Sequence, residues 1–291
     1  MAPLRLLDVN SMQFADGRYL ADKERQSGKV VPYAILSHRW LAEEDEVQFD
    51  DIKSVEVAVS KKGFAKIFKS CRLAKEQGLE FVWLDTCCID KGNPAELQES
   101  INSMYRWYQD AAVCYAYLKD TEATFPSSME NDECSSNVRP MGDVCGGWTL
   151  QELIAPRRVE FYDTNWQALG DKHFLKDRIS AVTKIDRAIL EGSKSLEDCS
   201  VAARLSWASI RQTVKIEDRA YSLLGLLGAN MPMLYGEVEK SFMRLQEEII
   251  KTSDDHSIFA WKGSQRRVSR SSRRLLRQLS ELWICQVHSF P

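Results

Sequence analysis

The sequence lacks the residue spacings of metal sites and the long apolar runs of membrane proteins. It has no CxxC pair, and none of its four histidines stands at a zinc-ligand spacing from its eight cysteines. No apolar run approaches membrane-spanning length. The first residues also lack the charged region and apolar block of a signal peptide. We therefore expect no metal, no transmembrane segment and a cytoplasmic location.

The cysteines that are present favour the same compartment. Four of them fall within apolar runs, which predicts buried free thiols in a reducing environment: Cys71, Cys87, Cys88 and Cys114. Cys87 and Cys88 have an alternative interpretation as nucleophiles. No histidine stands near them in the sequence to activate a thiol, so we favour the structural interpretation.

Charge is unevenly distributed along the chain. The net charge of -3 conceals a basic stretch, residues 262–291, with seven Lys or Arg and one Glu. The residues before it hold 32 basic and 41 acidic side chains. An acidic body does not favour contact with nucleic acid, so we expect no nucleic-acid partner. Because the serines and arginines of 262–291 show weak periodicity, we predict a flexible tail there.

The rest of the chain alternates between strand and helix patterns. Short apolar runs predict strands at 33–37, 81–85, 112–118 and 158–162, and 3.6-residue patterns predict helices over 64–74 and 97–108. This alternation favours an α/β fold, an open parallel sheet of the flavodoxin type flanked by helices. From Asp171 onward the pattern is helical, including 203–210, 219–227 and 242–249. We predict a core over 1–170 and a helical extension packed on it over 171–261.

Polar side chains stand where ligands of such a sheet would bind. In open α/β sheets, ligands bind beyond the carboxyl ends of the strands. Two predicted strands deliver polar or aromatic residues to that edge: Ser37, His38, Arg39 and Trp40 after the first, and Asp85 and Asp90 after the second. We expect these residues to line a binding site.

The segment from Trp148 to Leu153 predicts a short helix that ends near Pro156. Thr149 is placed to cap it, and Glu152 is placed three residues later to close a capping box, with Trp148 as a hydrophobic staple. The preceding stretch, from Lys119 to Gly147, is rich in Ser, Asn, Asp, Pro and Gly and predicts a long excursion. The alternative role for Glu152 is a carboxylate that faces the ligand cleft.

A series of segments runs in order up to Trp261 and carries a family resemblance: YAILSHRW (33–40), FVWLDTCCIDK (81–91), ELQESINSMYRWYQDAAVCYAYL (96–118), GWTLQELIAP (147–156), RLSWAS (204–209), EDRAYSLLGL (217–226), MPMLYGE (231–237) and RLQEEIIKTSDDHSIFAW (244–261). Together they resemble the fungal heterokaryon-incompatibility (HET) domain family. The resemblance implies an effector of programmed cell death in fungal innate immunity, triggered when genetically unlike cells fuse. It also implies partners that are further copies of the domain or receptor-type proteins.

The order of elements is in turn similar to that of Toll/interleukin-1 receptor (TIR) domains, which have a flavodoxin-like fold. Their Trp-Cys-x-x-Glu-Leu helix corresponds to Trp148–Leu153 here, and in TIR domains that cleave NAD its glutamate is catalytic. The resemblance thus implies Glu152 as the catalytic residue and NAD+ as a substrate, with no bound cofactor. Many HET sequences carry an Arg shortly before this helix, whereas this chain has Asp143 to Gly147.

NAD cleavage gives the remaining candidates their roles. Loss of nicotinamide creates positive charge on the ribose carbon, which one carboxylate can stabilise or trap covalently. With Glu152 in that role, each other candidate has a contact to make: Arg39 and His38 with phosphate or ribose, Ser37 through its hydroxyl, Asp85 and Asp90 with ribose hydroxyls, and Trp40 or Trp148 by stacking.

Structural explanations compete with these roles. Arg39 and His38 could form a surface turn paired with the acidic cluster at 43–46, and the tryptophans could simply pack. Asp85 could cap its loop and Asp90 could lie in a solvated turn. On the basis of the family resemblance, we predict a HET effector with NAD+ glycohydrolase activity on self-association. The alternatives are a non-catalytic module that signals by homotypic assembly, and a degenerate, inactive member of the family.

Overall fold

The computed structural model describes residues 3–29, 31–121 and 146–260. Most of the excursion predicted between Lys119 and Gly147 lies outside these ranges. The predicted tail, 262–291, and residues 143–145 before the Trp148 helix lie outside them as well.

The fold is built on a six-stranded mixed sheet in the order β1-β3-β2-β4-β5-β6. Its strands are β1 (Leu7–Asp8), β2 (Tyr33–His38), β3 (Phe81–Trp83), β4 (Val113–Tyr117), β5 (Val159–Tyr162) and β6 (Ala168–Asp171). The four predicted strands are confirmed as β2 to β5, and they are parallel. The prediction of a wholly parallel sheet is wrong, because β1 and β6 add antiparallel edges. These edge strands are short, and β6 is partly exposed, so neither has an apolar run that marks it in the sequence.

Helices cover both faces of the sheet and form most of the chain after β6. They are α1 (Gly17–Ser27), α2 (Val55–Ser60), α3 (Phe64–Glu76), α4 (Pro94–Asp110), α5 (Thr149–Ile154), α6 (Lys176–Thr183), α7 (Arg187–Glu191), α8 (Val201–Ala208), α9 (Asp218–Tyr221), α10 (Leu224–Leu227) and α11 (Lys240–Thr252). The predicted helices over 64–74 and 97–108 are confirmed. The single helix expected over 219–227 is two short helices, α9 and α10. Within the described ranges, no helix combines the length and apolar character needed to cross a membrane.

Local sequence explains where the two longest helices of the core begin and pack. Asn93 caps α4 by accepting hydrogen bonds from the backbone N–H groups of Ala95 and Glu96, at 3.1 and 3.3 Å, and Pro94 occupies the first turn. In α3 the buried residues recur at helical spacing and face the sheet: Ile67, Cys71 and Ala74. The predicted free thiols Cys71, Cys87, Cys88 and Cys114 are confirmed as buried.

The path of the chain reverses direction beside β2. From β2 the chain passes through α3 to β3 on one side, and from β3 it passes through α4 to β4 on the other side. Adjacent strands whose connections leave in opposite directions open a crevice at their carboxyl ends, where ligands of open α/β sheets bind. Here that crevice lies between β2 and β4, with Ser37 aligned with Ala116 and His38 with Tyr117.

The helices that follow β6, α6 to α11, form the helical half of the protein. This half packs directly on the core through a contact of α10 with α4. Gly225 of α10 lies so close to Tyr105 of α4 that an added Cβ would overlap the tyrosine side chain. On the sheet side of α4, its residue Trp107 packs edge-on against Trp83 of β3, with ring centroids 5.6 Å apart.

A buried ion pair fixes the loop that follows β2. Lys66 Nζ donates to Glu46 Oε2 at 2.6 Å and to the Arg39 carbonyl at 3.0 Å. The same glutamate oxygen accepts from the Leu41 N–H at 2.8 Å. Only 6% and 3% of the Lys66 and Glu46 side chains are exposed. Burial lowers the pKa of Lys66, and the charge of Glu46 opposes that shift.

Removing the cation from this pair is expected to destabilise the fold strongly. A Lys66→Met substitution keeps most of the apolar stem but leaves Glu46 buried without its partner, which costs about 3–5 kcal/mol. The matched control is Lys62→Met, because the Lys62–Asp45 pair, 3.0 Å apart, is largely exposed on the lysine side. We expect the control to cost no more than about 1 kcal/mol. Urea unfolding of both variants gives the comparison, and equal losses would contradict this account of the pair.

Candidate functional site

Glu152 lies beneath the carboxyl end of β2. Because side chains alternate along a strand, Ser37 points to the sheet face that α5 covers. Its hydroxyl donates to Glu152 Oε2 at 2.5 Å. The Tyr108 hydroxyl of α4, which donates to the Leu36 carbonyl at 3.1 Å, also hydrogen-bonds with Glu152. Glu152 is only 5% exposed, so three elements enclose its carboxyl group.

This enclosure changes the ionisation of Glu152. Burial raises its pKa to about 8, and the negative charge of Asp85 acts in the same direction. The hydrogen bonds with Ser37 and Tyr108 and the charge of Arg211 oppose the shift without cancelling it. The carboxyl group is therefore mainly neutral near pH 7. A carboxyl with so high a pKa in a sheet crevice is a typical feature of a functional site.

The capping box expected for Glu152 is wrong. The helix begins at Thr149, and the N-cap residue, Trp148, makes no side-chain cap. Thr149 Oγ1 instead donates to the Gly146 carbonyl at 2.8 Å. Since the Glu152 carboxyl bonds to Ser37 and Tyr108 in the core, it does not serve the helix start. The local pattern predicted the position of the helix but assigned the wrong partners to its polar side chains.

Arg211, rather than a capping box, fixes the start of α5 through hydrogen bonds. It lies after α8, and its Nη1 donates to the Gly146 carbonyl at 2.8 Å and to Thr149 Oγ1 at 3.0 Å. Its Nε donates to the Trp207 carbonyl at 3.1 Å. The residue is buried, and its charge lowers the pKa of Glu152. This guanidinium thus places a positive charge near the helix, although the chain has no Arg directly before Trp148.

Within the described residues, a small cavity adjoins the Glu152 side chain. It has a volume of about 20 Å³, room for one water molecule. Its walls come from the ends of β2 and β4 and from α5, and they include Ser37, His38, Ala116, Tyr117 and Glu152. Pockets for ligands of ordinary size have volumes of about 300–1,000 Å³. In this conformation Glu152 is therefore beneath the surface rather than in an open cleft.

A second group of polar side chains surrounds His38 and Asp85 at the same edge of the sheet. The His38 side chain is completely buried, and its Nε2 is 4.0 Å from Asp85 Oδ1. Trp40, half exposed, donates from Nε1 to Asp85 Oδ2 at 2.9 Å. Lys91 Nζ lies 3.9 Å from the centroid of a Trp40 ring. Burial lowers the pKa of His38 well below its usual value, with Lys66 and Lys91 adding to the effect.

The structure thus brings several predicted site residues together. Ser37 and His38 join Glu152 around the cavity, and Asp85 is near enough to raise the pKa of Glu152. The alternative in which His38 lies in a surface turn paired with the acidic cluster at 43–46 is wrong. His38 is buried, and Glu46 of that cluster pairs with Lys66.

Three predicted residues lie outside this group. Arg39 touches the cavity, but 68% of its side chain is exposed and its Nη1 is 3.4 Å from Asp120 Oδ2. Asp90 accepts from the Gly92 N–H at 3.0 Å within its own loop. Trp148 hydrogen-bonds with Asp218 of α9. Among the described residues, no three His, Cys, Asp or Glu side chains gather as metal ligands would.

Sequence analysis missed Tyr108 and Arg211. Tyr108 falls within the helix predicted over 97–108 and is buried in α4, but nothing local indicates that its hydroxyl reaches Glu152. Arg211 lies 62 residues after Thr149, to which it donates. Only the packing of the helical half brings the two together, so no local pattern could identify the contact.

Comparison with known proteins identifies the matching families. Residues 33–144 match the model named Heterokaryon incompatibility protein (HET). Residues 240–287 match a Domain of unknown function, DUF8212, which begins with α11 and crosses the predicted boundary of the basic tail. No solved structure matches the chain.

A curated relative extends the match over most of the described protein. The chain is 44% identical, over 236 residues, to Vegetative incompatibility protein HET-E-1 of Podospora anserina. The aligned region is 81% of this chain but only 17% of that protein, so the chain spans less than a fifth of its relative. The segments that carried the resemblance begin with β2 and run past the end of α11 to residue 261. The chain therefore carries a domain of the heterokaryon incompatibility (HET) family.

Proposed function

We propose that this chain acts in heterokaryon incompatibility as a cell-death effector that cleaves NAD+ to nicotinamide and ADP-ribose when it self-associates. The observation that carries the proposal is the position of Glu152. Its carboxyl group lies under Ser37, beside the crevice between β2 and β4, where the path of the chain reverses. HET-E-1, which is 44% identical to the chain, is a vegetative incompatibility protein.

The proposal includes a TIR-like version of the flavodoxin fold. Counted along the chain, the parallel strands β2 to β5 have the spatial order second, first, third, fourth. Flavodoxin-like sheets begin with the same order and bind their ligand at the equivalent reversal point. The match in strand order supports the assignment of Glu152 to the catalytic position implied by the TIR resemblance.

The chemistry requires Glu152 to ionise when substrate binds. As the bond to nicotinamide breaks, positive charge develops on the ribose carbon, and a nearby positive charge favours the ionised form of a carboxyl group. A carboxyl that is neutral at rest therefore passes its proton to water as this charge appears, and becomes a carboxylate beside the ribose carbon. The carboxylate then stabilises the charge or forms a covalent bond to the ribose carbon. Nicotinamide leaves as a neutral molecule and needs no acid.

Access to Glu152 requires a change in conformation. A cavity of about 20 Å³ cannot hold a dinucleotide. We propose that contact with further copies, or with a receptor-type partner in the cytoplasm, opens the crevice between β2 and β4. Ser37 would then contact the ribose, and Arg39, already exposed at the cavity, would contact the diphosphate. Trp40 presents an exposed ring for stacking.

The small size of the cavity also supports a second candidate function. A buried, neutral Glu152 that hydrogen-bonds with Ser37 and Tyr108 can serve packing alone. In that case the domain signals by homotypic assembly without catalysis. The two functions differ in whether nicotinamide is released once the domain has assembled.

A Glu152→Gln substitution is expected to abolish NAD+ cleavage. Glutamine has the shape of the neutral carboxyl group but cannot acquire negative charge, so the rate is expected to fall at least about 100-fold. The measurement is nicotinamide release from NAD+ by purified protein at high concentration, where assembly is favoured. Glu247→Gln, on the exposed face of α11, is the matched control and is expected to retain full activity. Full activity in Glu152→Gln would eliminate the catalytic role, and an inactive wild type in every oligomeric state would favour the assembly module.

The neutral state of Glu152 is testable through stability, independently of catalysis. Between about pH 4.5 and about pH 8 the folded chain holds a proton on Glu152 that the unfolded chain has lost. The free energy of unfolding contributed by this group is therefore greatest below pH 4.5 and falls as the pH rises toward 8. Glutamine does not titrate. We expect the stability of wild type relative to Glu152→Gln to fall by roughly 2 to 5 kcal/mol across this window.

Urea unfolding of both proteins at several pH values from 5 to 9 measures this change. Taking the difference between the two proteins removes the contributions of the groups that both titrate, including His38. A difference that stays constant with pH would show that Glu152 ionises normally.

A further inference from the structure

Two polar side chains stand side by side at the carboxyl ends of β2 and β3 without hydrogen-bonding each other. His38 has a fully buried side chain, and neither ring nitrogen has a hydrogen-bond partner among the described residues. Within the same part of the chain, the buried Oδ1 atom of Asp85 has no hydrogen-bond partner either, and it lies 4.0 Å from His38 Nε2. A buried polar atom without a partner costs about 1–3 kcal/mol, so such atoms are rare and need an explanation.

The Asp85 carboxyl is held so that its unpartnered oxygen faces His38. Its other oxygen, Oδ2, accepts from Trp40 Nε1 at 2.9 Å. Lys91 Nζ lies over the Trp40 ring and supports the indole in that position. The separation of 4.0 Å is too long for a hydrogen bond. A movement of about 1 Å would close it, and catalytic hydrogen bonds are often long in ligand-free structures and shorten in the substrate complex.

His38 also belongs to the wall of the cavity that Glu152 lines. The two residues thus approach one space from different elements, and Asp85 lies nearest the Nε2 side of the imidazole at 4.0 Å. A carboxylate that accepts from one imidazole nitrogen fixes the tautomer and leaves the other nitrogen free to accept a proton. It also stabilises the imidazolium that results. Burial, assisted by the charges of Lys66 and Lys91, lowers the pKa of His38, so the resting imidazole is neutral.

We propose that His38, oriented by Asp85, is the general base for the water that attacks the ribose carbon. The inference rests on the NAD+ cleavage proposed above, and it assigns the second half of that reaction. The bond between ribose and nicotinamide breaks with its electron pair going to the nicotinamide nitrogen. Water oxygen forms the new bond to the ribose carbon, and its proton passes to Nδ1 of His38. Nε2–H donates to Asp85, and Glu152 balances the charge on the ribose.

The test separates nucleophiles that must lose a proton from those that need not. A pyridine base such as acetylpyridine attacks the ribose carbon through its lone pair, so exchange of nicotinamide for this base requires Glu152 but no general base. In His38→Gln and Asp85→Asn we expect hydrolysis to ADP-ribose to fall about 100-fold, the lower range for a lost general base. Exchange to the acetylpyridine dinucleotide is expected to persist. Both products are separated chromatographically from the same reaction.

Each outcome of this test supports or overturns the general-base role of His38. Persistent exchange shows that the variant is folded and that its Glu152 chemistry is intact. His173→Gln, an exposed histidine, is the control and is expected to retain both reactions. If exchange and hydrolysis fall together while the wild type is active, or if neither falls, the general-base role is overturned and NAD+ cleavage stands. Should His38→Gln fail to fold, Asp85→Asn carries the same expectation. Absence of nicotinamide release from the wild type would overturn the proposed function and this inference together.

Discussion

The structure of the site depends on the removal of the Glu152 carboxyl group from water. A buried carboxylate without compensation is too costly to persist, so the group either gains a proton or gains partners. Here it does both. Its pKa is raised to about 8, and Ser37 and Tyr108 hydrogen-bond with it. Since the two partners lie on β2 and α4, a single buried group ties α5 to the sheet and to its neighbouring helix.

The position of α5 is defined at both ends by buried cations. Arg211 binds the carbonyl and hydroxyl groups at its start, and Lys172 donates to the carbonyls of Leu153 and Pro156 at its end. Burial lowers the pKa of Lys172 to about 8. A helix of six residues has little stability of its own, and these contacts explain why it persists. They also mean that Glu152 cannot be exposed by α5 alone. Any opening must involve the helical half that carries Arg211.

The sequence predicted the parallel strands but not the environment of the site. The runs that became β2 and β4 are buried on both faces, so their apolar character is continuous and easy to recognise. The edge strands β1 and β6 carry no such signal. At α5, Thr149 and Glu152 have the spacing of a capping box. The Glu152 carboxyl group nevertheless hydrogen-bonds with Ser37, 115 residues away, rather than with the start of its own helix. Local spacing predicts a local bond. It cannot account for a partner that only the sheet topology brings near.

These contacts make the helical half part of the site rather than an appendage to it. Gly146 pairs with Gln212 in an isolated parallel bridge, and Trp148 hydrogen-bonds with Asp218. Together with Arg211, these residues set the path by which the chain enters α5. The HET family model covers residues 33–144 and ends before α5, whereas the similarity to HET-E-1 covers 236 residues and must extend beyond it. A fragment that ends at residue 170 would therefore keep Glu152 but lose the Arg211 and Lys172 contacts that fix the two ends of α5.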